Sequence, residues 1–270
     1  MSVNNFDPKD KIIVVTGGAH GIGCGLAKEF HNQGAAHIIV ADMDIDKAGE
    51  VAREIGGTAW QLDVSDEVAT AEMIDAIERD IGPIDLYFSN AGILFTDAPD
   101  WNAYTQSTEQ WQKIWEINVL AHVHACRALL PKMKARGHGA FMITASAAGL
   151  LSQIGDASYS TTKHAALGFA ESLAITHSDD GIYVGVVCPQ AVESNMTKGA
   201  EDSSAALDGI LTASEFSKRT IQAMRAGQFM IRPHEQVVEY FKNKAENYDR
   251  WVGGMRKLRR MMMASNGRPV

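Results

Sequence analysis

Two kinds of apolar pattern alternate along the chain. Short unbroken apolar runs recur at "KIIVVT" (11–16), "HIIVAD" (37–42), "TAWQLD" (58–63), "IDLYFS" (84–89), "AFMIT" (140–144), "IYVGVVC" (182–188) and "QFMIR" (228–232). Between them, apolar residues return at the spacing of a helix with one buried stripe. Helices are expected over Ile22–Gln33, Ile45–Ile55 and about Asp66–Ile81, the last with Ser65 as N-cap. A capping box at Ser107 and Gln110 opens a long helix ending near Arg136, a further helix carries Tyr159, and a second capping box stands at Thr212 and Glu215. Strands that are apolar throughout are covered on both faces, which means a parallel sheet between two helical layers. No linker, repeat or low-complexity stretch interrupts the alternation, so residues 1–270 read as a single α/β domain.

Composition narrows the function. The chain has 270 residues, 46% of them hydrophobic and 21% charged, enough for a substantial core. A net charge of −8 argues against a nucleic-acid partner, which needs a basic face. "MSVNNFDPKDK" contains no apolar stretch of a secretory signal, and no run is long enough to span a bilayer. A cytoplasmic protein without membrane contact is expected. Cys24, Cys126 and Cys188 are odd in number and dispersed, as free thiols in a reducing compartment would be. His122 and His124 cannot share a helical face, so no metal site is expected.

The chemistry concentrates at three places. "TGGAHGIG" (16–23) joins the first strand to the first helix, where glycines let the backbone approach a ligand and the helix N-terminus offers unpaired N–H groups to a pyrophosphate. Asp42 ends the second strand, about 20 residues on, where a carboxylate accepts hydrogen bonds from ribose hydroxyls and repels a 2′-phosphate. No Lys or Arg lies in the loop or directly after Asp42, and His20 is mostly neutral at pH 7, so NAD is favoured over NADP. The third place is "SAAGLLSQIGDASYSTTK" (146–163). Tyr159 and Lys163 stand one helical turn apart, and the small-residue segment before them can fold back to bring Ser146 alongside.

These motifs, with "LDV" (62–64), "NAG" (90–92), "INV" (117–119) and "CP" (188–189), occur in the order found in short-chain dehydrogenase/reductases, and the chain resembles the compact single-domain branch of that family over nearly its whole length. The resemblance implies a Rossmann-type doubly wound parallel sheet of about seven strands, order 3-2-1-4-5-6-7, with helices on both faces. It implies hydride transfer between NAD and an alcohol or ketone. Tyr159 would act as acid/base, Lys163 would favour the phenolate and hydrogen-bond the nicotinamide ribose, and Ser146 would hold the substrate oxygen. Asn118 matches the asparagine whose local helix distortion holds a relay water. The cofactor would meet Gly17, His20, Gly21, Ile22 and Gly23, then Asp42, Met43, Asp63 and Val64. It would continue past Asn90, Ala91, Gly92, Tyr159 and Lys163 to Pro189, Val192 and Ser194. A homodimer or homotetramer built partly from the Asn118 and Tyr159 helices is also implied.

Two positions depart from the family pattern. Ser89 replaces an asparagine, and Gln190 replaces a glycine after the proline, as either a polar substrate contact or a surface loop residue. Rival readings were a Rossmann methyltransferase, from Gly21, Gly23 and Gly25, and a non-catalytic NAD-sensing scaffold; neither accounts for an intact Ser146, Tyr159 and Lys163. Residues 195–213 are expected to form a lid over the site. Ile93, Leu94, Leu150, Leu151, Ile154 and Met196 suggest a neutral, fairly apolar substrate. The extension over 246–270 is basic and amphipathic, and three roles fit it: docking to a neighbouring subunit, a cap over the active site, or attachment to a membrane surface.

Overall fold

The computed structural model describes residues 4–199 and 203–265. The first half builds β1 (Ile12–Thr16), α1 (Gly21–Asn32), β2 (His37–Asp42), α2 (Ile45–Ile55), β3 (Thr58–Gln61), α3 (Glu67–Asp80) and β4 (Leu86–Ser89). Then come α4 (Thr108–Trp115), a π turn (Glu116–Leu120), α5 (Ala121–Arg136), β5 (Gly139–Thr144), the short α6 (Ala148–Leu151), α7 (Ala157–His177) and β6 (Ile182–Val187). The chain continues through α8 (Ala213–Arg225), β7 (Met230–Ile231), α9 (Gln236–Glu246) and α10 (Tyr248–Ser265). The seven strands are all parallel, in the order β3-β2-β1-β4-β5-β6-β7. The expected doubly wound fold is therefore the observed one.

Both faces of the sheet are dry, which is why its strands read as unbroken apolar runs. On β1, Val14 packs into the layer holding Ile74, Ile77, Leu129 and Met133, whereas Ile13 and Val15 face Leu26, Phe30 and Val51 on the other side. The segments carrying Gly17, Asp42, Asp63, Asn90, Ser146 and Pro189 all lie at the C-terminal ends of strands, and the strand order reverses between β1 and β4. A ligand crevice is expected at that switch point.

Three details differ from the sequence reading. Asp66, not Ser65, caps α3: the Asp66 carboxylate accepts from Ala69 N, while the Ser65 hydroxyl is taken by Asp63 at 2.6 Å. The long helix after Ser107 is interrupted by the π turn, although its capping box forms as expected. Helices α6 and α9 had no counterpart in the sequence reading. The three cysteines are free, Cys126 and Cys188 buried and Cys24 half-buried. No helix among the described residues is long and apolar enough to cross a membrane. Of the expected lid, 200–202 lie outside the described residues, as does Arg268 of the C-terminal extension.

Candidate active site

The glycine loop and α1 form one wall of a cleft of about 370 Å³. Gly23 is there because nothing larger fits: a Cβ would lie 2.0 Å from the Gly17 carbonyl oxygen. α1 begins at Gly21 with no side-chain cap and no acidic residue in its first turn, leaving its N–H groups and positive dipole end for an anion. Gly17, His20, Gly21, Ile22, Gly23, Asp42, Met43, Asp63, Val64, Asn90, Ala91, Gly92, Pro189, Val192 and Ser194 all line this one cleft, with Tyr159 and Lys163 at its far end. Asp42 accepts from Ala19 N and Asp44 N, both at 3.0 Å, which fixes the carboxylate while leaving lone pairs open. His20 turns toward Asp44, with Nε2 to Oδ2 at 3.0 Å. Lys163 is the one Lys or Arg in the cleft lining among the described residues. A cleft that joins an anion seat to a fixed carboxylate fits a dinucleotide.

Asn90 and Thr197 line the cleft, and Asn118 lies buried outside its lining; the side chains of all three do structural work. Asn90 donates from Nδ2 to Thr16 O at 3.0 Å and accepts from Thr144 Oγ1 at 3.0 Å, tying together the ends of β1, β4 and β5. Asn118, fully buried in the π turn, donates to Ile93 O at 2.9 Å and Thr162 Oγ1 at 3.2 Å and accepts from Ile93 N at 2.9 Å. It clamps the loop after β4 onto α7. Thr197, which the sequence reading passed over, is the hub of the segment after Pro189, contacting Val192 O at 2.8 Å and Ser194 N at 3.1 Å through its hydroxyl.

Ser146, Tyr159 and Lys163 are buried together. What brings them together is the approach of α6 to α7: a Cβ on Gly149 would lie 2.5 Å from the Lys163 carbonyl oxygen, so only glycine permits this contact. The Ser146 hydroxyl donates to Pro189 O at 3.3 Å and accepts from Ala148 N at 3.1 Å. Lys163 donates to Thr144 O at 2.9 Å, with its Nζ 5.5 Å from the centre of the Tyr159 ring. Burial pushes the Tyr159 phenol up to about 12, against the opposing pull of a hydrogen bond with Ser146. Burial also brings the Lys163 amine down to about 8. In the protein alone, then, burial favours the protonated phenol.

Behind Lys163 lies a pair the sequence reading noticed only as a departure and a failed metal motif. The fully buried His122 meets Ser89 Oγ at 2.7 Å through Nδ1. Burial first, and the Lys163 charge second, bring its imidazole down to about 3, so it is neutral under ordinary conditions. Beyond the triad, cavities of about 580 and 480 Å³ open on either side, and Ser146 and Gln190 line both as well as the cleft. Gln190 is held from both ends. Its N–H donates to His234 Nδ1 at 3.2 Å, and its Nε2 donates to Asp208 at 2.8 Å. It is thus a junction residue rather than a surface glutamine.

The sequence profile of the short chain dehydrogenase family matches residues 11–205. A 1-deoxy-11-beta-hydroxypentalenate dehydrogenase of Streptomyces exfoliatus is 35% identical over 193 residues, covering 69% of this chain and 69% of its own. Human epidermal retinol dehydrogenase 2 is 30% identical over 229 residues, 79% of this chain and 71% of its own. Among solved structures, a short chain dehydrogenase/reductase from Burkholderia phymatum in complex with NAD superposes with a TM-score of 0.81 at 22% identity, covering 90% of this chain and 96% of that one.

Proposed function

This chain belongs to the short-chain dehydrogenase/reductase family, a family of oxidoreductases, and we propose that it moves a hydride between NAD and a neutral, fairly apolar secondary alcohol or its ketone. The observation that carries the reading is that Tyr159, Lys163 and Ser146, all buried, line one cleft, from which Tyr159 and Ser146 also reach the cavity of about 580 Å³.

Bound NAD would supply the hydride acceptor and, in its oxidised form, a positive charge that favours the phenolate. The chain's own residues do the rest. Gly17, Gly21 and Gly23 with the α1 N-terminus seat the pyrophosphate, and Asp42 takes the adenosine ribose hydroxyls. Ser146 Oγ gives a hydrogen bond to the substrate oxygen. Tyr159 takes the hydroxyl proton in oxidation and returns it in reduction. Lys163 stabilises the phenolate once it forms, and Asn118 holds Lys163 in line by clamping α7 to the loop at Ile93. Gln190, with Oε1 buried and unpartnered at the junction, is an acceptor for a donor group on the substrate.

A panel of secondary alcohols with NAD or NADP, followed by nicotinamide absorbance, tests this directly. The expected result is turnover with NAD that disappears in Tyr159→Phe. Undiminished oxidation by that variant would overturn the reading.

A further inference from the structure

Pro189, Gln190, Val192 and Ser194 line the cleft together with Tyr159 and Lys163. This strip follows the end of β6 at Val187, well before α8 opens at Ala213, so side chains from elsewhere have to hold it. The Ser146 segment fixes its start, where Ala147 N donates to Pro189 O at 2.7 Å. The next two residues are held by one imidazole. His234, buried in the turn between β7 and α9, has its Nδ1 3.2 Å from Gln190 N and its Nε2 3.2 Å from Ala191 O.

Those two partners decide the state of the ring. A main-chain N–H can only donate, so Nδ1 has to accept; a carbonyl oxygen can only accept, so Nε2 has to carry the hydrogen. The neutral Nε2–H tautomer satisfies both. An imidazolium would set a second N–H against that of Gln190, breaking one bond and leaving the Gln190 N–H without a partner. The charged groups facing the ring are Arg219 and Glu215 from α8 and Asp208 from the 203–208 turn. Arg219 donates to Pro233 O at 2.6 Å, which brings its charge next to the histidine. Burial lowers the imidazole below its ordinary value and Arg219 adds to this, against the hydrogen bond to Ala191 O and the two carboxylates.

Resting on the oxidoreductase reading above, we propose that His234 is a positioning residue for hydride transfer: as a neutral imidazole it fixes the main chain at Gln190 and Ala191, and its protonation releases the strip that borders Tyr159. His234 does not line the cleft, so it acts through the strip alone. Because its folded value is depressed, the strip is fully held above 6.5 and is released as pH falls through the lower folded value.

Two replacements separate the two bonds. His234→Asn puts Oδ1 where Nδ1 stands, accepts from Gln190 N and does not titrate; His234→Gln keeps a donor for Ala191 O and loses the acceptor. The measurement is kcat for an alcohol at saturating NAD, from about pH 8 down to the pH at which the fold is lost, with Tm recorded alongside. Wild type should lose about tenfold or more in kcat on an acid limb below 6.5. His234→Asn should stay within about threefold of wild type at high pH and lack that limb, and His234→Gln should be about tenfold slower throughout. The Kd for NAD should move less than about threefold in both variants, because the glycine loop and Asp42 are held by β1 and β2. A purely structural histidine would instead lower Tm and NAD affinity together and leave the shape of the pH profile unchanged. A readout without turnover is the Gln190 amide proton in NMR, which should follow pH in wild type and stay level in His234→Asn. An acid limb kept in full by His234→Asn, or a Gln190 amide that ignores pH in wild type, would overturn the assignment. No turnover with any alcohol, alongside an amide that follows pH in wild type alone, would remove the hydride-transfer reading and leave the hold of His234 on the strip standing.

Discussion

The glycine-loop cleft and the cavity against α10 are built on opposite principles. The cleft is made where strands end, and its backbone is packed so closely that a Cβ on Gly23 would collide with Gly17 O. The cavity of about 480 Å³ is walled by segments far apart in the chain, the 203–208 turn, α9 and α10, joined through side chains such as Gln190, Asp208 and Tyr240. A region fixed by backbone contact admits one geometry. A region fixed by side chains can be reshaped by single substitutions without disturbing the sheet.

Removing chemistry without touching either wall should have the largest effect. Tyr159→Phe is expected to lower kcat/KM by about 10³-fold or more while leaving NAD affinity within severalfold of wild type, measured by steady-state kinetics and calorimetry. Next comes a break in the backbone-built region. Gly23→Ala should weaken NAD binding by about 100-fold or more and lower Tm, since the clash is with main chain and cannot be relieved by a rotamer. Asp42→Ala should erode the preference for NAD over NADP by about 10- to 100-fold, read as the ratio of kcat/KM values, because it removes both the ribose acceptor and the repulsion of a phosphate.

A subtler probe is the buried Lys163. Its amine is held near 8 in the folded chain and returns to about 10.5 on unfolding. A depressed folded value means that the unfolded chain binds more protons between those limits. This group's contribution to stability is therefore full above about 10.5 and is lost as pH falls through 8. Lys163→Met should accordingly gain up to about 3 kcal/mol relative to wild type at pH 7, and the gain should shrink toward pH 10 in denaturant titrations. The smallest effect has the opposite sign to Gly23→Ala. Gly254→Ala, the same change in the side-chain-built region, should raise stability by about 0.5–1 kcal/mol.

The same contrast decides how much could be read from the sequence. The sheet was legible because dry parallel strands leave unbroken apolar runs, and the cleft because glycine and aspartate must fall at strand ends. Ser146, Tyr159 and Lys163 were legible through helical spacing and family pattern. Their resting protonation was not, since it depends on burial, which spacing does not encode. Nor could the sequence say that Asn90 and Asn118 spend their amides on the ends of strands and on Ile93. Ser65 and Asp66 are equally good caps in isolation; Asp63 decided between them by capturing the serine hydroxyl. The Gln190–Asp208–Tyr240 clasp joins residues 18 and 32 positions apart with no periodic signal. Nor does helical spacing reveal that α10 lies along the cavity next to the segment carrying Ser146.

The π turn at Glu116–Leu120 has a consequence for how this chain can change over generations. It holds one residue more than the same stretch of α-helix would, and one residue of α-helix is about 100° of rotation. Deleting that residue would regularise the helix but swing His122, Ala125 and Leu129 out of the interior, all of which are buried now. An insertion would err the other way. Lineages of this protein should therefore tolerate length variation in the 93–107 loop just upstream and almost none between Ser107 and Arg136, whether or not the reaction itself is under selection.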